Sequence, residues 1–483
     1  MVDAVPSGSF GPARLREPAV VISSVSPAQD QHARSIALTR RPGRWIDGFD
    51  PENTEFWKGE GRPIARRNLG WSIYAEFLGF IVWQLWSVVV VLLPAAGFTF
   101  TSAETFWLLS VPSLVGATLR FPYTFMVPRF GGRNWTIVSA LLLLIPASLL
   151  AISVGNPDTP FWMMLIIAGL AGFGGGNFAS SMANITYFFP QREKGWALGL
   201  NAAGGNLGTS VAQFFVPIVV SIVAGIGLGL PIAGWMWVPF ILLAAWGAWR
   251  YMDNLSSAKA DFAGSAAALR EPHLWLLALL YVGTFGSFIG FSSVFPKLIV
   301  DEFPEFGSLH VGTAVVSLAF LGALVGSLFR PLGGRLADRF GGARVTIAAF
   351  AVMAVGAFSI LGVLALGQFW LFLACFLLLF AATGVGNGST YRMIPIVFSA
   401  RAVARREGDG AMVARRAAAA LGLISGLGAY GGFVVPQVLN ASQLASGGYQ
   451  AAFIGFGVAY LVLLVITVLA YAVPRASLDG RRI

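Results

Sequence analysis

The residues in this chain best able to do chemistry are two arginines set in apolar surroundings. Arg120 stands near the middle of VPSLVGATLRFPYTFMV (111–127), and Arg330 stands in FLGALVGSLFRPLGG (320–334). In both copies Arg-Phe-Gly-Gly follows nine residues later, at 129–132 and 339–342. A charge at mid-membrane depth costs at least ~2.5–3.5 kcal/mol, and neither run carries a carboxylate to neutralise it. Two uncompensated guanidinia at matching places 210 residues apart suggest a site for an anion. Guanidinium is planar with fixed N–H donors, so it fits a planar oxyanion as the point charge of lysine does not.

The elements that position them are membrane spans. The chain is 56% hydrophobic and 11% charged, with a mean hydropathy of +0.73. Apolar windows long enough to cross ~30 Å of hydrocarbon recur along it. Twelve are legible, at roughly 70–93, 106–128, 134–154, 161–188, 195–224, 231–252, 273–296, 310–332, 343–367, 370–398, 417–439 and 449–473. This predicts an all-α polytopic membrane protein embedded in lipid. Residues 1–69 are polar and lack an apolar h-region, so the first span is expected to start insertion itself. A basic tail attracted to anionic lipid is the plain reading of that segment.

Orientation follows from the basic residues. Of 32 lysines and arginines, 28 fall in the two tails and the loops on one side. Arg120, Arg330 and Arg392 lie within spans, and Lys297 alone falls opposite. The positive-inside rule puts both termini in the cytoplasm. The net charge of +10 therefore reports orientation and not nucleic-acid binding. A short polar loop, 253–271, divides the chain into six-span halves at 70–252 and 272–474, with a tail at 475–483.

The halves resemble each other beyond the arginines. Gly176-Asn177 falls 210 positions before Gly386-Asn387, and Ala197-Leu-Gly-Leu200 is echoed by Ala420-Leu-Gly-Leu423. Parallel repeats of this kind place a substrate at the midplane between two halves. Among catalytic classes little survives. A single cysteine, Cys375, excludes an intramolecular disulfide and a thiol metal cluster. There is no Cys/His cluster, no phosphate-binding glycine loop and no acid pair in the spans. No enzyme, metal or cofactor is expected. The histidines, His32, His273 and His310, fall in loops or at span ends, which excludes mid-membrane haem ligation and weakens a proton relay.

The loop GGRLADRFGGAR (333–344), echoed by VPRFGGR (127–133), resembles the cytoplasmic loop signature of the major facilitator superfamily. Within it, GFGGGNFASSMANITYFFP (172–190) with KGWALGLNAAGGNLG (194–208) resembles a signature of the nitrate/nitrite porter family. ATGVGNGSTYRMIP (382–395) with ALGLISGLGAYGGF (420–433) resembles its second copy. The resemblance covers all twelve spans. It implies the major facilitator fold, an inner-membrane location, a monomer, and nitrate and nitrite as small-anion partners. By the same resemblance, Phe80 and Phe178 would sandwich the anion, Tyr281 would donate its hydroxyl, and Asn206 would face the ligand. Asp338 and Arg339 belong to the loop that locks one conformation.

Several residues keep more than one reading. Asn177 is a ligand contact or a helix-to-helix clasp. The glycines of spans 4, 5, 10 and 11 let helices pack closely and leave room for a small ligand only. Glu76, the one acid within a span, is a snorkelling carboxylate, a packing or gating contact, or a proton-coupling site. Arg392 snorkels to the interface or attracts anions to the inner mouth. Mechanism is bounded by charge. Two guanidinia ~8 Å apart at an effective dielectric of ~20 repel by about 2 kcal/mol. An anion between them relieves this, so an empty carrier crosses over slowly and a loaded one quickly. Nitrate/nitrite exchange is the expectation; proton-coupled nitrate uptake and transport of a larger anion such as an organic phosphate are the rivals within transport. A receptor would need a sizeable soluble domain that the cytoplasmic segments do not contain.

Overall fold

The computed structural model describes residues 38–473 apart from 226, 260–265, 267 and 405–409. The predicted tail 475–483, most of the predicted tail 1–69 and part of the linker lie outside the described residues. Twelve long helical segments dominate: α1 (Thr54–Leu92), α2 (Ser102–Phe130), α3 (Gly132–Ser153), α4 (Phe161–Phe188), α5 (Gln191–Ala224), α6 (Ile232–Tyr251), α7 (Pro272–Glu302), α8 (Phe320–Phe340), α9 (Gly342–Leu366), α10 (Phe369–Val403), α11 (Ala419–Ser446) and α12 (Gln450–Ala472). Ten are long and apolar enough to cross a membrane; α2 and α8, which carry the two arginines among prolines and small residues, are not among those ten. Large apolar side chains face outward around the bundle, with Trp162 and Trp370 each 62% exposed and Val355 61%. Water does not tolerate so much exposed apolar surface, and lipid does.

α1 begins well upstream of the window that hydropathy picks out. Asn53 caps it, its side-chain oxygen accepting from the N–H groups of Glu55 and Phe56 at 3.0 and 3.1 Å. Arg62, Arg66, Arg67 and Asn68 lower the local hydropathy without breaking the helix. Ahead of it, β1 (Thr39–Arg41) and β2 (Trp45–Asp47) form a hairpin whose turn is Pro42-Gly43-Arg44, with Gly43 at φ 76°. β2 also pairs in parallel with β3 (Asn254–Leu255). Residues 38–53 are thus built into the fold as a strap ahead of α1. Arg44 donates to the carbonyl oxygens of Arg250, Tyr251 and Met252 and to the Asp253 carboxylate at 2.8 Å. These are the orphan carbonyls that end α6, so the strap caps that helix. Arg67 meets the other Asp253 oxygen at 2.6 Å. A second hairpin, β4 (Leu309–Val311) and β5 (Ala314–Val316), hydrogen-bonds to α5 through Val315 N–H and Ser221 Oγ at 2.9 Å. These short strands are the exception in an otherwise helical chain.

The arginine helices are set by close packing against their neighbours. A Cβ on Gly116 of α2 would lie 2.7 Å from the Trp83 ring nitrogen and 3.2 Å from Gly175 Cα. On the other copy, a Cβ on Gly384 of α10 would stand 2.3 Å from the Gly326 carbonyl oxygen of α8. Both helices end alike, at Gly131 (φ 88°) and Gly341 (φ 94°), conformations that side-chain-bearing residues rarely adopt.

Candidate functional site

Thr101 and Glu104 form a reciprocal capping box at the start of α2, which sets the helix that carries Arg120. Arg120 is wholly buried. Its Nε donates to the Gly175 carbonyl of α4 at 3.1 Å, and Nη1 donates to the Ser425 carbonyl of α11 at 2.8 Å. Among the described residues Nη2 has no acceptor. The guanidinium carbon lies 4.4 Å from the ring centre of Phe178, 5.1 Å from Phe285 and 5.3 Å from Trp83.

Arg330 approaches the same rings. It is 5.7 Å from Phe178, 5.7 Å from Phe285 and 5.8 Å from Tyr391. Its Nη2 donates to the Tyr281 hydroxyl at 3.3 Å, and Nη1 has no acceptor among the described residues. Among the described residues, no carboxylate forms an ion pair with either arginine. Two positive groups therefore share one aromatic floor, each with an N–H-bearing nitrogen uncommitted. Ring faces offer each cation ~0.5–2 kcal/mol. That does not substitute for an anion.

The floor is built mainly from α4 and α7. Phe178 and Phe285 lie nearly parallel, 27° apart with centres at 6.2 Å, and Tyr281 stacks on Phe285 at 5.2 Å and 16°. α7 widens by one residue per turn over Val282–Gly286, where Gly286 abuts Gly431 of α11. Such local widenings recur at functional sites.

Of the residues expected from sequence, Arg120, Arg330, Phe178 and Tyr281 converge here. Phe80 is fully buried and joins through its edge, meeting Phe178 at 6.3 Å and 64°. The ring parallel to Phe178 in this conformation is Phe285. Asn206 is buried with both amide atoms unpartnered, and no hydrogen bond links it to either guanidinium. Asn177 and Asn387, its match in the other repeat, are likewise buried and unpartnered.

The snorkelling reading of Glu76 is corrected. The side chain is 1% exposed, and Oε2 accepts a short hydrogen bond from Asn201, which in turn accepts from Ser181 at 3.0 Å. It is held inside because α5 approaches through glycine: a Cβ on Gly205 would stand 2.5 Å from Glu76 Oε1. That oxygen has no hydrogen-bond partner among the described residues. Arg392 also differs from a purely snorkelling side chain. Its Nε meets Asp338 at 2.5 Å, tying α10 to the end of α8. Arg339 is not part of that pair and rests over the Phe340 ring at 5.1 Å.

Sequence reasoning missed Trp83, Phe285 and Tyr391. Each carried a signal: Trp83 is three residues beyond Phe80, Phe285 is four beyond Tyr281, and Tyr391 stands inside the second repeat motif. Helical spacing places the first two on the faces of residues already singled out.

The sequence profile of the Major Facilitator Superfamily matches residues 75–436. The nitrate/nitrite transporter NarU of Escherichia coli is 42% identical over 448 residues, 88% of this chain and 95% of that protein. The chain belongs to the nitrate/nitrite porter family of that superfamily. The NarU of Salmonella typhimurium is 43% identical over 88% of this chain and 96% of its own. The probable nitrate/nitrite antiporter NarK2 of Thermus thermophilus is 37% identical over 88% of this chain and 95% of its own. A crystal structure of the nucleoside transporter NupG (D323A mutant) superposes with a TM-score of 0.57 at 14% identity, covering 84% of this chain and all of that one. That likeness concerns the fold alone. This porter is thus an integral membrane protein of a transport family, and not an enzyme.

Proposed function

We propose that this porter carries nitrate and nitrite across the membrane, exchanging one for the other by alternating access. The observation that carries this reading is the pair of buried arginines, ion-paired with no carboxylate among the described residues, over one pair of rings. Arg120 Nη2 and Arg330 Nη1 would hold a planar anion between them, Phe178 and Phe285 would bracket its faces, and Tyr281 would donate to an oxygen. Phe80 backs the first ring, and Asn206 supplies its amide when the cavity opens toward α5. The relatives named for nitrate and nitrite transport support the substrate class.

In this reading α2 and α8 also cross the membrane, giving twelve spans in two six-helix halves, 70–252 and 272–474, joined by the cytoplasmic linker 253–271. The halves rock about the anion in a monomer of the inner membrane, with both termini cytoplasmic. Without an anion the two guanidinia resist being enclosed together. Return of the empty carrier is then slow, which couples the two fluxes without protons. The Asp338–Arg392 pair, next to Arg339, steadies one end of that movement.

A proton-coupled alternative is favoured by one observation, the buried Glu76 carboxylate with Oε1 unpartnered. Purified protein in liposomes separates the two. Nitrate entry that requires trapped nitrite and ignores a pH gradient is the expected result. Entry into vesicles without nitrite, accelerated by an inward proton gradient, would overturn exchange and bring Glu76 into the mechanism.

A further inference from the structure

A groove on the outer surface of the bundle does not belong to the anion site. It has a volume of about 810 Å³ and runs between α1, α5 and α6. Its walls are almost wholly apolar, with Trp71, Tyr74, Phe77, Phe215, Phe240 and Leu243 among them, and Phe240 is 48% exposed. On α1 the lining extends from Arg66 to Leu78. Twelve helical residues rise about 18 Å. One leaflet of a ~30 Å hydrocarbon core is about 15 Å deep, so the groove has the length of one acyl chain.

One end of it is strongly basic. Arg66 and Arg67 line that end, and the Arg67 Nε bond to the Tyr251 carbonyl at 2.8 Å brings the α6 terminus level with them. Trp71 of the groove wall stacks on Tyr251 at 5.5 Å and 4°, and Arg250 lies over that same tyrosine ring at 5.4 Å. Arg44 and Arg67 are both ion-paired, sharing the single carboxylate of Asp253. Arg66 and Arg250 are both exposed, and neither forms an ion pair among the described residues. The groove therefore joins an apolar slot of acyl-chain length to the unpaired guanidinium of Arg66, with the unpaired Arg250 on the tyrosine that stacks against the groove wall.

We propose that this groove is a binding site for one anionic phospholipid, its acyl chain along α1 between α5 and α6 and its phosphate headgroup on Arg66 and Arg250. Guanidinium pairs oxyanions with directed N–H bonds, and the headgroup's negative charge balances what Asp253 leaves over. The site abuts the helix that carries Phe80 and Glu76. A Cβ on Gly208 of α5 would stand 2.3 Å from the carbonyl oxygen of Phe77, itself a wall of the groove. The lipid thus seals the outer side of the α1–α5 seam.

Gly70 offers a direct probe. It lines the groove, and a Cβ added there meets nothing within 4 Å. A side chain at this helical position projects into the slot without a clash and strengthens the helix. Full-length protein in detergent would be incubated with phosphatidylglycerol or phosphatidylcholine of identical chains, and retained lipid counted by native mass spectrometry. The wild type is expected to retain phosphatidylglycerol over phosphatidylcholine by about fivefold or more. Arg66→Gln with Arg250→Gln should remove that preference, and Gly70→Leu should lower retention of both lipids. Equal retention of the two lipids by the wild type, or a Gly70→Leu protein that holds as much phosphatidylglycerol as the wild type, would overturn the proposal. Because the readout is lipid mass, it does not depend on which anion the porter carries.

Discussion

Arg120 and Arg330 occupy matching places in a sequence repeat, yet the fold holds them differently. Arg120 is fixed by two backbone carbonyls, one from α4 and one from α11. Among the described residues Arg330 has a single hydrogen bond, to a phenol at 3.3 Å. A carbonyl acceptor is fixed by its helix backbone, whereas a tyrosine hydroxyl is carried on a side chain and its O–H can rotate about the C–O bond. The first arginine therefore reads as an anchor that also links distant parts of the chain, and the second as the adjustable partner. Equal sequence context does not produce equal mechanical roles.

The comparison can be broken at its centre by exchanging the guanidinia. Arg120→Lys should reduce anion exchange by at least about 100-fold, since lysine cannot satisfy the Gly175 and Ser425 carbonyls and still offer a fork to the ligand. Arg330→Lys should also abolish most exchange, with insertion intact in both variants. Near-normal flux in liposomes from either one would remove the central argument. A packing change comes next. Gly174→Ala places a Cβ 2.0 Å from the Gly79 carbonyl oxygen, so α4 must shift from α1 and with it the Gly175 carbonyl that holds Arg120. A stability loss of about 1–3 kcal/mol is expected, read from thermal unfolding in detergent.

Smaller effects sharpen the contrast. Tyr281→Phe removes the one hydrogen bond of Arg330 and leaves both bonds of Arg120. Anion affinity should fall by about fivefold, corresponding to about 1 kcal/mol, in a nitrate-binding titration. An unchanged affinity would show that Arg330 needs no tether. Glu76→Gln keeps an oxygen able to accept from Asn201, and under the exchange reading nitrate/nitrite flux should stay within about twofold of the wild type. Loss of uptake driven by a pH gradient alone would instead favour proton coupling.

Much of the candidate site is legible in the sequence. An arginine in an apolar run is costly enough to announce itself, and its recurrence after 210 residues with the same Arg-Phe-Gly-Gly sequel marks a repeat. Phe178 and Tyr281 followed from resemblance to porters, and both stand at the arginines. Phe285 and Tyr391 were harder to see. Phenylalanine occurs 39 times in this chain, and ring stacking depends on contacts between helices that no spacing within one helix reveals. Glu76 misled for a related reason. Two turns into a span, a carboxylate has a route to water along its own helix, and only the neighbouring Asn201 and Gly205 show that the route is closed. The strap at 38–53 was hidden as well. Its Pro-Gly turn was a usable signal, but the arginines around it read as a solvated tail until α6 supplied carbonyls for Arg44.

Taken alone, the sequence determined what this chain is made to live in, which two arginines stand in matching apolar runs and where its repeats match. Those properties depend on composition and on periodicity along one dimension. Which ring faces Phe178, which carbonyls hold Arg120, and whether Glu76 meets water were decided only by tertiary structure. Each depends on the distance between two helices, and at several of those seams, between Gly79 and Gly174 or Gly326 and Gly384, the spacing is too close for even one added carbon.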